Sequence, residues 1–173
     1  MATIAQTKSH KATAEKSGTA KSASKKEAEG QDAISLLKAD HREVEGWFDD
    51  YEDASSDDEK AELAAKICGA LKVHAQVEEE IFYPAARDAT KDDDLLDEAT
   101  VEHAGAKDLI AQIESMSVGD DLYDAKITVL GEQIRHHVKE EETELFPEVR
   151  KSEMDLDAVG AELAARKAEL TAE

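Results

Sequence analysis

The segment "HAQVEEEIFYP", His74 to Pro84, places an imidazole and a carboxylate four residues apart, and "HVKEEETELFP", His137 to Pro147, does so again. One offset relates the two throughout: His74 corresponds to His137, Glu78 to Glu141, Glu79 to Glu142 and Pro84 to Pro147. Residues four apart share a helix face, so each segment aims a His and a Glu in one direction. That direction is inward, because His74 and Glu78 fall on the stripe of Ile67, Leu71 and Ile81. Of the six histidines, His41 and His103 also lie on apolar stripes of their own segments, whereas His10 and His136 do not. Four imidazoles and two carboxylates therefore converge at one level of a core.

Burying such groups is costly unless each is hydrogen-bonded, paired or bound to a cation. A metal removes the difficulty for all six at once, and His41, His74, Glu78, His103, His137 and Glu141 are the expected ligands. Imidazole and carboxylate without thiolate suit iron, manganese or zinc, and six ligands exceed the tetrahedral set of one zinc. Two metals bridged by Glu78 and Glu141, each with terminal imidazoles, use the whole set. Iron is the expected metal, since oxygen-reactive chemistry needs a redox ion.

The elements that position these residues are helices. Apolar residues recur every three or four positions beyond residue 30, and no segment alternates as a strand would. The first helix spans about Asp32 to Asp53, with Ile34, Leu37, His41, Val44, Phe48 and Tyr51 inward. Ser56 and Glu59 form a capping box for the second, which ends near Arg87 after a loosening at Pro84. The third begins near Asp93 and carries Leu96, Ala99, His103, Ala106, Ile110 and Ile113; "SMSVGDD" breaks it. The fourth carries Ile127, Leu130, Ile134, His137, Glu141 and Leu145 and ends near Lys151. A short last helix covers Leu156 to about Leu170. The fold class expected is all-α, an antiparallel up-down-up-down four-helix bundle over residues 31–152, with the extra helix in 153–173 packed on or near it. Trp47, Phe48, Tyr51, Phe82, Tyr83 and Phe146 read as core and bundle-end packing.

Composition sets further bounds. Residues 1–30 hold six Lys and three Glu among Ala, Ser and Thr, and read as a disordered arm. The whole chain of 173 residues carries −21, so the remainder carries −24. A domain that acidic repels nucleic acid and anionic membranes, although the basic arm could touch either nucleic acid or an acidic partner. No apolar run approaches a membrane span and no signal peptide is present, so a cytoplasmic location is expected. Cys68 is the only cysteine, which excludes an intrachain disulfide and a thiolate cluster.

The segments "KADHREVEGWFDDYE", "HAQVEEEIFYP", "VEHAGAKDLI" and "HVKEEETELFP" resemble the hemerythrin-like family of HHE cation-binding domains, over about residues 32 to 151. The ending "MDLDAVGAELAARKAEL" is also similar to tails of bacterial members. The resemblance implies a non-haem di-iron centre with an oxo or hydroxo bridge, inside a four-helix bundle. It implies binding of, sensing of or reaction with dioxygen, nitric oxide or peroxide. A peroxidase or catalase-like enzyme, and an iron-storing or partner-binding bundle without redox role, are the alternatives. The chain departs from the oxygen carriers at Lys107, where they place a second His after the one matching His103. Lys107 could stay outside, pair with Glu78 or Glu141, or coordinate when deprotonated; His136 could replace it. Glu142, at the carriers' carboxylate spacing, is the alternate to Glu141.

Overall fold

The computed structural model describes residues 31–90 and 93–172; the arm expected over residues 1–30 lies outside them. Helix α1 spans Ala33–Asp53, and Asp32 caps it by accepting from the Ser35 amide at 3.0 Å. Helix α2 spans Asp57–Val77 and runs through a π-helical turn, Glu78–Phe82, into α3, Tyr83–Thr90. Helix α4 spans Asp93–Glu114. Helix α5, Tyr123–Glu140, repeats the second rod, continuing through a π-helical turn, Glu141–Leu145, into α6, Phe146–Lys151. Helix α7 spans Leu156–Thr171, with Asp155 accepting from the Ala158 amide at 3.0 Å. The described residues thus form five helical rods and no strand.

Helix α1 packs on α2, α4 on α5, and α7 across α1 and α2. Gly160 permits that last contact, since a Cβ there would lie 2.5 Å from the Gln31 carbonyl oxygen and 2.8 Å from the Ala33 nitrogen. Two apolar clusters result. One holds Val44, Phe48, Leu71, Ile110, Leu130 and Ile134; the other holds Ile34, Leu37, Phe82, Leu96, Phe146 and Leu163. Between them lies a polar layer, the buried residues His41, His74, Glu78, His103, His137 and Glu141.

Two sequence expectations are refined. Ser56 accepts from the Glu59 amide at 3.3 Å, but the Glu59 carboxylate returns to the amide of Ser55 rather than of Ser56. The second rod does not stop near Arg87; it continues to Thr90, and the loosening expected at Pro84 takes the form of a π-helical turn just ahead of it. Proline has no N–H to donate, so the ladder must break one turn upstream. The Tyr83 amide reaches back to the Glu78 carbonyl and the Phe146 amide to that of Glu141, inserting one extra residue into each turn.

Candidate metal centre

Each π-helical turn begins on a buried carboxylate. Glu78 is 0% exposed and Glu141 2%. The four imidazoles come from α1, α2, α4 and α5, and their Nε2 atoms form two close pairs. His41 and His74 are 3.1 Å apart at Nε2, as are His103 and His137. The carboxylates straddle the pairs. Glu78 Oε2 lies 3.2 Å from His74 Nε2 and 3.4 Å from His103 Nε2. Glu141 Oε2 lies 3.3 Å from His41 Nε2 and 3.7 Å from His137 Nε2. The structure therefore brings together all six residues named from the sequence.

The outer nitrogen of every ring meets a carboxylate. His41 Nδ1 is 3.1 Å from Glu142, His74 Nδ1 3.5 Å from Asp40, His103 Nδ1 3.1 Å from Glu79 and His137 Nδ1 2.7 Å from Glu102. An anionic acceptor at Nδ1 makes that nitrogen the donor and leaves Nε2 as a lone pair aimed inward. Two lone pairs at 3.1 Å repel each other unless a proton or a cation lies between them. Both Glu78 oxygens and Glu141 Oε2 also lack a hydrogen-bond partner among the described residues. A metal fits this donor set: neighbouring ligands about 2.1 Å from one ion and at right angles stand about 3.0 Å apart, close to the spacing of each Nε2 pair.

Protons and cations compete for the same position. Burial works against charging His74, but Glu78, Asp40 and Glu141 outweigh it and push that imidazole up to about 10. Glu78, opposed by burial, is nonetheless held well below the usual carboxylate range by His74 and His103.

The donor clusters are unequal. His41, His74, Glu78 and Glu141 form one group of four, and Glu78, His103 and His137 form a group of three. Lys107 does not complete the second. Instead of pairing with Glu78 or Glu141 it turns outward and donates to both Glu79 oxygens at 2.6 Å, behind His103. Glu142, considered as a ligand, faces outward as well, taking hydrogen bonds from His41 Nδ1 and from Arg42 at 2.6 Å. His136 is mostly exposed and outside the centre. Asp40 in turn pairs with Lys167 of α7, which ties the last helix to the ring of His74.

Tyr83 was read as packing, and it is buried in the second apolar cluster, but it also has a polar role at the centre. Its hydroxyl donates to Glu141 Oε1 at 2.9 Å and lies 3.3 Å from His103 Nε2, with the two rings stacked at 5.4 Å. Phe146, its counterpart in the repeat, stacks on His41 at 5.9 Å. Both stand five residues after a buried Glu, a spacing that faces inward only across a π-helical turn. The roles of the outer carboxylates at the ring nitrogens were also missed, Glu142 having been weighed only as a ligand. Asp40 and Glu102 each precede a His, and Glu79 and Glu142 each follow a buried Glu. Beside the rings lies an apolar cavity of about 20 Å³, lined by Val44, Leu71, Ala106, Ile110, Ile134 and Val138. It has room for one small molecule.

The model of the hemerythrin HHE cation binding domain matches residues 32–149. The chain belongs to that family. Its fold is similar to the crystal structure of a hemerythrin HHE cation binding domain-containing protein from Mycobacterium kansasii, at 24% identity and TM-score 0.69, covering 81% of this chain and 87% of that one. A DNA nickase from Nostoc sp. is 27% identical over 115 residues, 66% of this chain. The match spans about a third, 32%, of that longer relative. As a member of the HHE family the chain is a cation-binding protein, and its inward His and Glu residues are the candidate site. No helix among the described residues is long and apolar enough to cross a membrane.

Proposed function

We propose that this HHE domain is a non-haem di-iron protein that binds, senses or reacts with dioxygen or a related small molecule such as nitric oxide or peroxide. In this reading His41 and His74 would hold one iron and His103 and His137 the other, with Glu78 and Glu141 each reaching both histidine pairs. The four long rods run up-down-up-down, the arrangement that short connections favour. What carries the reading is that both carboxylates sit closer to the His41 and His74 pair than to the His103 and His137 pair, 3.3 and 3.2 Å against 3.7 and 3.4 Å, while Lys107 is drawn away to Glu79 and adds no ligand on the second side. When bound, the iron pair supplies electrons and an open coordination position for a small ligand.

The chain's own residues shape what meets that position. Val44, Leu71, Ile110 and Ile134 keep water scarce beside the rings and make room for an apolar diatomic molecule. Carboxylates at the four Nδ1 atoms fix the tautomers and the ring orientations. Tyr83 keeps its proton, because burial and the nearby Glu78 and Glu141 raise it well above an ordinary phenol. It stands at Glu141 as a neutral donor. DNA nicking, named for the Nostoc relative, is not carried over: the shared part is a minor fraction of that protein, and a chain at −21 opposes a phosphate backbone.

Anaerobic titration of the reduced, iron-loaded protein with nitric oxide tests the proposal. One nitric oxide per two irons, seen by electron paramagnetic resonance and visible absorption, is expected. Equal binding at both irons, or none, contradicts it. Sustained peroxide turnover above that of free iron would move the assignment to an enzyme.

A further inference from the structure

Three of the four outer carboxylates end on a fixed charge: Glu142 on Lys38 and Arg42, Asp40 on Lys167, and Glu79 on Lys107. Glu102 differs. One of its oxygens accepts from His137 Nδ1 at 2.7 Å, while the other lies 3.5 Å from His136 Nε2. His136 Nε2 is also 3.3 Å from Glu140 Oε1, one helical turn along α5. Glu102, His136 and Glu140 thus offer an imidazole nitrogen and two carboxylate oxygens within 4.8 Å of one another. The duplication does not produce this cluster, because the first-half counterparts of His136 and Glu140 are Val73 and Val77.

A cleft of about 200 Å³ between α4 and α5 adjoins the cluster. Glu102 and His136 line its outer part, and His103 and His137 line it as well. One continuous lining therefore joins the half-exposed cluster to the buried rings. Three ligands of this kind, with water completing the shell, suit a borderline divalent cation such as zinc or ferrous iron. The surrounding negative charge concentrates cations at the surface.

We propose that Glu102, His136 and Glu140 form a second, outer divalent-cation site that receives ions before they reach the buried centre. The feeding role rests on the buried residues being a metal centre; cation binding at the outer site does not. Both parts are tested with the full chain carrying His136→Ala and Glu140→Gln, two side chains whose polar ends lie outside the core. Its melting curve checks that the fold is kept.

Calorimetric titration with Zn²⁺, on protein already loaded with iron, should show one further equivalent per chain in the wild type. In the double variant that equivalent should bind about tenfold more weakly or not at all, as loss of a ligand predicts. No further zinc in the wild type, or identical binding in the variant, overturns the site. Stopped-flow uptake of Fe²⁺ by metal-free protein should be several-fold slower in the variant; equal rates overturn the feeding role. If the chain takes up no iron, the same zinc titration on the metal-free chain still compares wild type and variant. A variant-sensitive equivalent then keeps the outer site while the buried centre falls.

Discussion

Metal-free protein should lose stability steeply in mild alkali through one residue, His74. Its imidazole moves from the usual 6.5 to about 10, because Glu78, Asp40 and Glu141 outweigh the burial that opposes charge. A group raised on folding contributes stability that is fully present below 6.5 and is lost as pH rises through 10. At about 1.4 kcal/mol per pH unit the contribution is up to about 5 kcal/mol. The depressed Glu78 describes the same attraction from its other end, so it is counted once. The assay is urea unfolding of metal-free protein between pH 6 and 10.5, wild type against His74→Gln. Cys68, pushed up to about 11 by burial, also erodes stability above pH 9, but equally in both proteins, so the difference isolates His74. The gap should be widest near pH 6 and should shrink by several kcal/mol toward pH 10.5. Parallel curves would refute the argument that a proton holds the place of a cation between His41 and His74. Iron-loaded protein should lack this slope, since the metal occupies the lone pair.

Other outcomes follow from the same geometry. Acidifying loaded protein should release iron with proton uptake, because His74 must exchange metal for a proton while Glu78 stays ionised well below the usual carboxylate range; a pH-stat titration alongside metal analysis measures the ratio. Tyr83→Phe, which the ring of Phe146 shows to be sterically acceptable, should cost about 1.5–3 kcal/mol through the lost bond to Glu141 and change the visible spectrum of the loaded protein. Gly160→Ala should cost about 1–3 kcal/mol, since its Cβ meets backbone atoms of residues 31–33 that cannot swing aside; thermal melting checks it. Lys167→Ala should change stability by less than about 1 kcal/mol but weaken metal retention about tenfold, by loosening the Asp40 that orients His74. Chelator competition separates the two effects.

The sequence carried the frame of this site because burial obeys helical periodicity. Ile34, Leu37, His41, Val44, Phe48 and Tyr51 are all buried on α1, as are Leu96, Ala99, His103, Ala106, Ile110 and Ile113 on α4. The repeated His and Glu positions then follow, since both halves build the same turn. Tyr83 escaped because an ordinary helix does not bring its position round onto the face of Glu78. Only the i to i−5 hydrogen bond ahead of Pro84 does so. The roles of the outer carboxylates escaped for a different reason. With 42 acidic residues in the chain, spacing cannot single out which acids from neighbouring helices reach a ring nitrogen. Asp40, Glu79, Glu102 and Glu142 all act across a helix pair, not along their own helix. Lys107 likewise reaches Glu79 across two rods, a pairing that depends on how α4 sits against the first π-helical turn.

The measurement that bears most directly on the account is the metal content of protein purified from iron-replete cells, beside a Glu78→Ala, Glu141→Ala double variant. The account predicts about two irons per wild-type chain, as six inward ligands require, and none retained by the variant. No bound metal, a single zinc, or full iron occupancy in the variant would contradict it.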